Sequence, residues 1–397
     1  MDGGVANGID VDLGQARVLV VEDNEINRTF ACVMLESMGI TQVECANNGA
    51  EGLVKVAAFE PDLILLDLMM PVMDGQQFLR ALRADPARVD LPVLVTTAVD
   101  SQDMRNALFG DGASDYVNKP IDRQELVARV RVHLRQTLLL RDLRRYYDRL
   151  AFDLATARSM QDALLPSPIQ IGEAEARYTV SIAASFSPSS ELGGDLWGLL
   201  PVDDHRLAVF AVDFSGHGVA ASINTFRLHM LLRGADFSAA DPAKLLGRLN
   251  ASLFHLLPRG QFATMVVAMI DTAARSLTIA NAGSPSPILG EGGGTRLMTE
   301  RHPPLGITLG ARYENLVLPF GPGCHLALYS DGMAEADNVR GEALGDEGVR
   351  RLLTANIGAT SEQTVMAMMA AFAQESPAEP ADDLTFVWIA VEGPPAL

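Results

Sequence analysis

Two groups of residues have the types and spacing needed to hold a divalent cation against a phosphoryl group. The first group lies in the opening third of the chain and consists of Glu22, Asp23, Asp67, Thr97 and Lys119. The second group is spread over the closing half and consists of Asp195, Asp213, Asp331, Asp382 and Asp383. The first suits a carboxylate that accepts a phosphoryl group, and the second suits a hydrolase that removes one. Together they predict a phosphatase that is switched by its own phosphorylation.

The first group concentrates negative charge, because Glu22 and Asp23 follow one apolar run and Asp67 follows another. Like charges brought together are costly unless a cation lies among them. Mg²⁺ fits, since it takes oxygen ligands octahedrally and keeps water and substrate oxygens in its shell. Asp67 would attack a phosphodonor as a carboxylate nucleophile. Lys119 would then neutralise the new phosphoryl oxygens, and Thr97 would hydrogen-bond to one of them.

The elements that must position this group are short apolar runs alternating with amphipathic segments over residues 17–120. Runs that are apolar on both faces are typical of buried parallel strands. Five strands alternating with helices predict a doubly wound, flavodoxin-like α/β domain with a parallel sheet. In such a sheet the ligand site lies at the carboxyl ends of the strands. The predicted strands are Arg17–Glu22, 42–44, Leu63–Asp67, Val93–Thr97 and 115–117.

This region resembles the receiver domain of bacterial response regulators through four ordered pieces: VEDN at 21–24, LLDLMMPVMDG at 65–75, TTA at 96–98 and NKP at 118–120. The resemblance implies that Asp67 is the phosphoacceptor and that the Met69 carbonyl is a further metal contact. It also implies that Tyr116 swings inward when Thr97 moves, and that the Lys119-Pro120 peptide is cis. The implied phosphodonor is a sensor histidine kinase or a phosphotransfer protein.

A long helix is predicted over residues 121–165, ending at Pro166. Its second half carries apolar or small residues alternately three and four apart, which is heptad spacing: Leu140, Leu143, Tyr147, Leu150, Leu154, Ala157 and Leu164, with polar Gln161 between the last two. The part from Ile121 to Leu150 holds eight arginines against four acidic residues. We interpret the helix as the seam of a homodimer. The alternative is a single amphipathic helix packed on its own domain.

The remainder of the chain mixes alternating strand patterns with helical stretches and predicts an α/β/β/α sandwich or a related layered fold. The predicted strands are Tyr178–Ser185, Leu207–Asp213, Ala263–Ile270, Ser276–Ala280, Cys324–Tyr329 and Leu384–Ala390. The predicted helices are Val219–Leu232, Ala243–Leu256, Gly348–Ala355 and Glu362–Glu375. The tract Gly290–Gly294 is predicted to be a surface hairpin or loop.

The second acidic group lies at the predicted strand ends of this layered domain. Asp213 ends an apolar strand and has glycines close after it, which allow backbone and metals to approach closely. Asp331 follows another apolar run, and Asp195 ends the sequence ELGGD. Two hard cations about 4 Å apart would clamp a phosphate and lower the pKa of a bridging water toward neutrality. No Ser-His-Asp or Cys-His set competes for the chemistry.

The same half of the chain resembles the PPM-type serine/threonine phosphatases, in the branch of the bacterial sporulation and stress-response phosphatases. The matching pieces are LLP at 164–166, GGD at 193–195, DFSGHG at 213–218, FATM at 262–265, NAG at 281–283, PLGI at 304–307, YSDGMAE at 329–335 and DDLT at 382–385. The resemblance implies two Mn²⁺ or Mg²⁺ ions held by Asp195 and Asp213, with the Phe214 carbonyl adding an oxygen. Asp331 and either Asp382 or Asp383 would complete the site.

Two positions depart from this family. The family often has an acid where this chain has Gly198, and a histidine where it has Ser284. Neither position belongs to the acids that would hold the metals, so we interpret both as subgroup variation.

Composition narrows the class of protein. The formal net charge of −19 opposes nucleic-acid binding, which requires basic patches. No run of 18 apolar residues occurs and the N-terminus lacks a signal-peptide pattern, so we expect a cytoplasmic protein without a membrane segment. Cys32, Cys45 and Cys324 are expected to be reduced, buried thiols. The predicted organisation is a disordered tail at 1–16, a receiver at 17–135, a helical linker at 136–166 and a phosphatase domain at 167–397.

These observations predict a response regulator whose output is metal-dependent protein serine/threonine phosphatase activity, controlled by Asp67. The resemblance implies a phosphoserine substrate on an anti-sigma-factor antagonist. The competing hypothesis is a phosphatase-like adaptor without catalysis, which binds a sigma factor or another regulatory protein under receiver control.

Overall fold

The computed structural model describes residues 12–98, 102–216, 218–234, 241–291, 294–378 and 380–392. The chain divides into two compact units, Met1–Leu150 and Ala151–Leu397. Most of the predicted tail, residues 1–11, lies outside the described residues. The last part of that tail is not disordered, because Leu13–Gln15 forms a turn of 3-10 helix and Ala16 is completely buried. The predicted boundary at residue 17 was therefore placed too late.

The first unit contains a five-stranded parallel sheet in the order β2-β1-β3-β4-β5. Its strands are β1 Arg17–Val21, β2 Gln42–Ala46, β3 Leu63–Asp67, β4 Val93–Thr97 and β5 Asp115–Asn118. The helices between them are α1 Glu25–Ser37, α2 Gly49–Phe59, α3 Gly75–Arg83 and α4 Gln102–Gly110. Every residue of β3 and β4 is buried, which explains their continuous apolar runs. The predicted flavodoxin-like sheet is confirmed.

Local capping fixes the loops that carry the acidic residues. Helix α1 begins after Asn24, whose side chain accepts hydrogen bonds from the main-chain N–H groups of Ile26 and Asn27. Helix α3 begins after Asp74, which forms a reciprocal capping box with Gln77. Each cap fixes the point at which the loop after the strand enters the next helix, and so limits how that loop can move.

Helix α5 is continuous from Arg123 to Asp162 and 40 residues long. Its first half packs into the core of the first unit through Leu126, Val130, Leu134 and Leu138. The heptad positions that follow are exposed, with Leu140 at 45%, Leu143 at 49% and Tyr147 at 60%. The division between the two units falls inside this helix, after Leu150. The predicted helix is present. Its heptad residues from Leu140 to Leu150 are exposed in the described part of one chain, whereas Leu164, at the end of the stripe, packs against the core of the second unit.

The second unit contains two five-stranded sheets, with strand orders β13-β10-β9-β8-β7 and β12-β11-β14-β15-β6. The strands are β6 Val180–Ser187, β7 Leu196–Pro201, β8 Arg206–Phe214, β9 Ala263–Asp271, β10 Ser276–Ala282, β11 Ile288–Glu291, β12 Gly294–Leu297, β13 Leu316–Pro319, β14 His325–Tyr329 and β15 Leu384–Val391. The helices are α6 Pro168–Tyr178, α7 Val219–Arg233, α8 Pro242–Leu256, α9 Asp331–Glu335, α10 Gly345–Ala355 and α11 Ser361–Glu375.

Three hydrophobic layers arrange these elements as an α/β/β/α sandwich. The central layer joins the facing sides of both sheets, for example Val209 and Leu328. An outer layer packs α7 and α8 on the first sheet, and the other packs α10 and α11 on the second sheet. The predicted sandwich is confirmed.

Strands β7 and β13 were not predicted from the sequence, and β11 and β12 were predicted only as a hairpin or loop at Gly290–Gly294. Strands β11 and β12 form a hairpin in which Glu291 pairs with Gly294, as the glycine tract predicted, while residues 292–293 lie outside the described residues. The three cysteines are free. Cys324 is buried, but Cys32 and Cys45 are only half-buried and their sulfur atoms lie 3.3 Å apart.

Candidate phosphoacceptor and metal sites

The carboxyl ends of β1 and β3 bring the first acidic group together. Carboxylate oxygens of Glu22, Asp23 and Asp67 all lie within 4.8 Å of one another. Glu22 and Asp67 are buried, whereas Asp23 is exposed. Lys119 Nζ lies 2.9 Å from Asp67 Oδ1 and 3.0 Å from Glu22 Oε2. Three carboxylates around one ammonium leave an excess of negative charge, which a divalent cation would balance.

Neighbouring residues set the orientation of these carboxylates. Glu22 Oε1 accepts a hydrogen bond of 3.1 Å from the side-chain amide of Asn27 in the first turn of α1. Gly75 begins α3 directly against the end of β3, where an added Cβ would lie 2.5 Å from the Asp67 carbonyl oxygen. A side chain at position 75 would therefore push α3 away from the acceptor strand.

Lys119 remains a cation in this environment. Burial is the largest single influence and lowers the pKa of Lys119, but the hydrogen bonds to Asp67 and Glu22 and the negative charges of both carboxylates together outweigh it. The net pKa is raised above its ordinary value. The ammonium group is thus available to pair with new negative charge on Asp67.

The remaining predicted receiver residues lie next to this group. Thr97 is the buried last residue of β4, and the main-chain N–H of Met69 lies 3.5 Å from Asp67 Oδ1. Tyr116 on β5 is half-buried, with its ring edge-on to Phe109 at 6.0 Å between centroids. The Lys119-Pro120 peptide is cis, as predicted.

The second acidic group lies where strands of both sheets of the sandwich end or begin. Asp195 immediately precedes β7, and Asp213 is the penultimate residue of β8. Asp331 is the first residue of α9, shortly after β14, and Asp382 lies just before β15. The sandwich therefore gathers acids that are almost 190 residues apart in sequence. His217, in the glycine-rich segment after Asp213, lies outside the described residues.

The pKa values show that these acids repel one another in a poorly solvated site. Burial, followed by the charges of Asp331 and Asp382, raises the pKa of Asp213 to about 8. Burial and the charge of Asp382 raise the pKa of Asp331 to about 6. Burial and the charge of Asp213 raise the pKa of Asp195 well above its ordinary range. A cation among these carboxylates would neutralise their mutual repulsion and stabilise their charged forms in the buried site.

Asp195 has one oxygen that points to the same need. Its Oδ2 accepts a 2.5 Å hydrogen bond from Thr385 Oγ1, but its Oδ1 is buried and has no hydrogen-bond donor among the described residues. A buried carboxylate oxygen without a donor is costly, and a metal ion is a partner that would satisfy it. The donor set, composed of carboxylates and main-chain carbonyls, fits Mg²⁺ or Mn²⁺. The acids are less tightly gathered than those of the receiver, which are the one group of three within 4.8 Å in the described ranges.

The structure separates the two aspartates that the sequence left as alternatives. Asp383 is buried, and its Oδ1 accepts from the N–H and the hydroxyl of Ser189 at 2.8 and 3.1 Å. Its Oδ2 accepts from the N–H groups of Gly194 and Asp195 at 2.6 and 3.4 Å. Asp382 is half-buried, and within the described residues its side chain accepts a hydrogen bond only from the N–H of Asp383. Asp383 therefore holds the loop that presents Asp195, while Asp382 has free coordination capacity.

The two departures from the family pattern have different surroundings. At Gly198 an added Cβ would lie 2.5 Å from Cε1 of Phe210, so the phenyl ring occupies the space of a side chain. Ser284 is buried and lines a cavity of about 10 Å³ together with Asp213. Its N–H donates to the side-chain oxygen of Asn281 at 2.9 Å. Neither position removes an acid from the site.

No helix in the described ranges combines the length and apolar character that crossing a bilayer requires.

Comparisons with known proteins divide the chain in the same way. A family model for the response regulator receiver domain matches residues 18–131, and a model for stage II sporulation protein E (SpoIIE) matches residues 203–392. The phosphoserine phosphatase RsbP of Bacillus subtilis is 28% identical over 188 residues, which are 46% of this chain and 45% of RsbP. The response regulator MprA of Mycobacterium ulcerans is 44% identical over 123 residues, which are 31% of this chain and 52% of MprA. The chain thus spans about half the length of these two relatives.

Among solved structures, the SiaA-PP2C domain of Pseudomonas aeruginosa aligns with a TM-score of 0.56 at 21% identity. The alignment covers 62% of this chain and 98% of that domain, and at this identity it shows a shared fold. The two family models, the sheet orders and the shared fold all divide the chain into the same two domains. The chain consists of a response regulator receiver domain joined to a phosphatase domain of the SpoIIE, PPM type.

Proposed function

We propose that this protein is a response regulator whose output is the metal-dependent dephosphorylation of a phosphoserine or phosphothreonine protein, switched by phosphorylation of Asp67. One observation carries the catalytic part of this proposal. Asp195 has a buried oxygen without a donor, and Asp195, Asp213 and Asp331 all have raised pKa values. A non-catalytic adaptor gains nothing from such a costly cluster, whereas a metal-dependent hydrolase requires it.

In this proposal Asp195, Asp213, Asp331 and Asp382 hold two Mn²⁺ or Mg²⁺ ions, and the carbonyl of Phe214 adds an oxygen ligand. When bound, the ions supply a water molecule that is nucleophilic near neutral pH. Asp383 is assigned to positioning, because its oxygens already accept hydrogen bonds from the loop before β7. The hydrolytic site then needs no nucleophilic side chain of its own, which agrees with the absence of a Ser-His or Cys-His pattern in the sequence.

The receiver acts through covalent phosphorylation. Glu22, Asp23, Asp67 and the Met69 carbonyl would hold one Mg²⁺, and a carboxylate oxygen of Asp67 would take the phosphoryl group from a histidine kinase or a phosphotransfer protein. Lys119, which bonds to both Glu22 and Asp67 in the unphosphorylated protein, would then pair with the phosphoryl oxygens.

The response of the β4–β5 edge follows from the same pairing. Thr97 would hydrogen-bond to a phosphoryl oxygen, and Tyr116 would follow the movement of Thr97. Helix α5 begins shortly after Lys119 and is the element that continues into the second unit.

The partners follow from similarity and from the exposed stripe of α5. RsbP, which is similar to this chain over 188 residues, is a phosphoserine phosphatase, and this supports a phosphoserine protein as substrate. The family resemblance favours an anti-sigma-factor antagonist in the cytoplasm. The exposed heptad residues Leu140, Leu143 and Tyr147 support a homodimer through α5.

Hydrolysis assays test the proposal directly. The full-length protein should hydrolyse p-nitrophenyl phosphate and a phosphoserine protein with Mn²⁺ and lose this activity with EDTA. Asp213→Asn should reduce kcat by about 100-fold, because it would remove a charged ligand from the proposed metal site. Full activity of Asp213→Asn would overturn the two-metal assignment. The adaptor hypothesis predicts that the second unit binds no Mn²⁺. Calorimetry with Asp67→Ala tests this, because the variant weakens metal binding by the receiver and leaves the second unit unchanged.

A further inference from the structure

Gln161 is a buried polar residue in the last turn of α5, at a point where the heptad pattern calls for an apolar side chain. It is 1% exposed. Its amide nitrogen donates to the Gly193 carbonyl oxygen at 2.7 Å, and its amide oxygen accepts from the Gly193 N–H at 3.2 Å. The amide nitrogen also lies 3.5 Å from Thr225 Oγ1 on α7. Gln161 thus binds both main-chain groups of one loop residue.

The loop bound by Gln161 is the one that presents Asp195. Gly194 and Asp195 follow Gly193 directly, and their N–H groups donate to Asp383. A Cβ on Gly193 would overlap with the carboxylate of Asp383, and a Cβ on Gly194 would lie 2.7 Å from the Phe214 carbonyl oxygen. The loop is therefore held on one side by Gln161 and on the other by Asp383, with no room for a side chain between them.

The consequence for Asp195 is geometric. The two hydrogen bonds from Gln161 fix the position and the orientation of Gly193. Both bonds break when the amide group of Gln161 and the main chain of Gly193 move apart by about 1 Å. Gln161 lies on the same continuous helix whose first half is packed in the receiver core. A shift or rotation at the end of α5 would therefore move Gly193 or release it. In either case the carboxylate of Asp195 changes its position relative to the other acids.

We propose that Gln161 is a positioning residue that couples helix α5 to the metal site, so that the receiver controls the affinity for metal through the position of Asp195. This inference rests on the proposed function, since it assumes that Asp195 binds a metal ion. It assigns the regulation of that site to one side chain and predicts which kinetic parameter responds. Outer contacts that orient a metal ligand typically change metal affinity or activity by 10–100-fold when they are removed.

The test uses the full-length protein and the variant Gln161→Met, whose side chain is of similar length but cannot form the two hydrogen bonds. We expect Mn²⁺ binding, measured by titration calorimetry, to weaken about 10–100-fold. The Mn²⁺ concentration for half-maximal hydrolysis of p-nitrophenyl phosphate should rise by the same factor, while kcat at saturating Mn²⁺ and KM stay unchanged. Unchanged Mn²⁺ affinity in a folded Gln161→Met protein would overturn the inference.

Thr364→Val is the matched control. Thr364 is also a buried polar residue on a helix, and its hydroxyl accepts from the N–H of a loop glycine, Gly358, but this loop carries none of the proposed metal ligands. The control should lose thermal stability and keep wild-type Mn²⁺ affinity. If Gln161→Met does not fold, Gln161→Asn replaces it, because the amide remains but is one methylene too short to span both groups of Gly193. The same weakening of Mn²⁺ binding is expected.

A second measurement addresses coupling and separates the two ways of failing. Phosphorylation of the receiver by acetyl phosphate should shift the Mn²⁺ affinity of the metal site in the second unit of the wild-type protein. The same treatment should leave the Mn²⁺ affinity of Gln161→Met unchanged. A shift of equal size in both proteins would refute Gln161 as the coupling residue. If the wild-type protein itself binds no Mn²⁺ in the second unit, the proposed function fails. If it binds Mn²⁺ and Gln161→Met binds it equally well, only the inference about Gln161 fails.

Discussion

Asparagine should have different consequences at the two adjacent aspartates: at Asp383 it should lower the stability of the protein, and at Asp382 it should weaken metal binding. Asp383 accepts hydrogen bonds from three main-chain N–H groups and a hydroxyl, and it is almost completely buried. An asparagine has one acceptor oxygen, so its NH₂ group must face the N–H of Ser189 or that of Gly194. Asp382 has one such contact, to the N–H of its own neighbour, and is half-buried.

The magnitudes follow from these contacts. In Asp383→Asn at least one buried N–H loses its acceptor, which costs about 1–3 kcal/mol. The remaining hydrogen bonds become neutral instead of charge-assisted and weaken by about 1 kcal/mol in total. Removing a charge also eases the repulsion with Asp195 and Asp213, and this offsets part of the loss. We expect a net destabilisation of about 2 kcal/mol. In Asp382→Asn no hydrogen bond from a distant segment is lost, and the eased repulsion with Asp213 and Asp331 favours the metal-free protein. Its free energy of unfolding should therefore be unchanged or higher by up to about 0.5 kcal/mol.

Urea unfolding in EDTA measures both stabilities, and calorimetry measures Mn²⁺ binding. Asp382→Asn should be as stable as the wild type and bind Mn²⁺ at least 10-fold more weakly. Asp383→Asn should unfold at lower urea concentration. The reasoning is refuted if Asp383→Asn is fully stable, or if Asp382→Asn is the variant that unfolds early while it keeps normal Mn²⁺ affinity.

Three further predictions concern pH, switching and assembly. The folded-state pKa values of Asp213 and Asp331 lie above the unfolded value of 3.8, at about 8 and about 6. The folded state therefore binds more protons than the unfolded state, and the metal-free protein should lose stability as pH rises from 4 to 8. The loss is at most about 1.4 kcal/mol per pH unit for each group. Urea unfolding in EDTA at several pH values measures it, and a rise in stability over this range would contradict the prediction. Asp67→Ala should retain basal hydrolysis but no longer respond to acetyl phosphate, and a preserved response would rule out Asp67 as the acceptor. Leu143→Asp should be monomeric in analytical ultracentrifugation, because it places a charge in the proposed dimer seam. The control Arg145→Asp, on the same helix but outside the heptad positions, should remain dimeric. A dimeric Leu143→Asp protein would exclude this seam.

The predictable part of the fold was the part in which local pattern and burial coincide. Strands β3 and β4 are buried on both faces, so their sequences are uninterrupted apolar runs that end at Asp67 and Thr97. Short strands at sheet edges carry no such signal. Strand β13 alternates between half-buried and exposed positions over four residues, and only its pairing with β10 makes it a strand.

The residues proposed to perform the chemistry were predicted from the sequence alone. The acids at 22, 23 and 67 with Lys119, and the acids at 195, 213, 331 and either 382 or 383, were predicted because carboxylates next to strand ends and glycines form a pattern within a few residues. The order of the two domains and the helix between them followed from the same local patterns.

The fold distinguishes the residues that have free coordination capacity from those that support them. Asp382 and Asp383 are neighbours of the same type, and hydrogen bonds from residues almost 190 positions away distinguish them. Gln161 looked like a polar interruption of a heptad until the fold placed it against Gly193, 32 residues further along the chain. Hydrogen bonds between distant segments leave no periodicity in a sequence, because they depend on the path of the backbone rather than on the spacing of residue types.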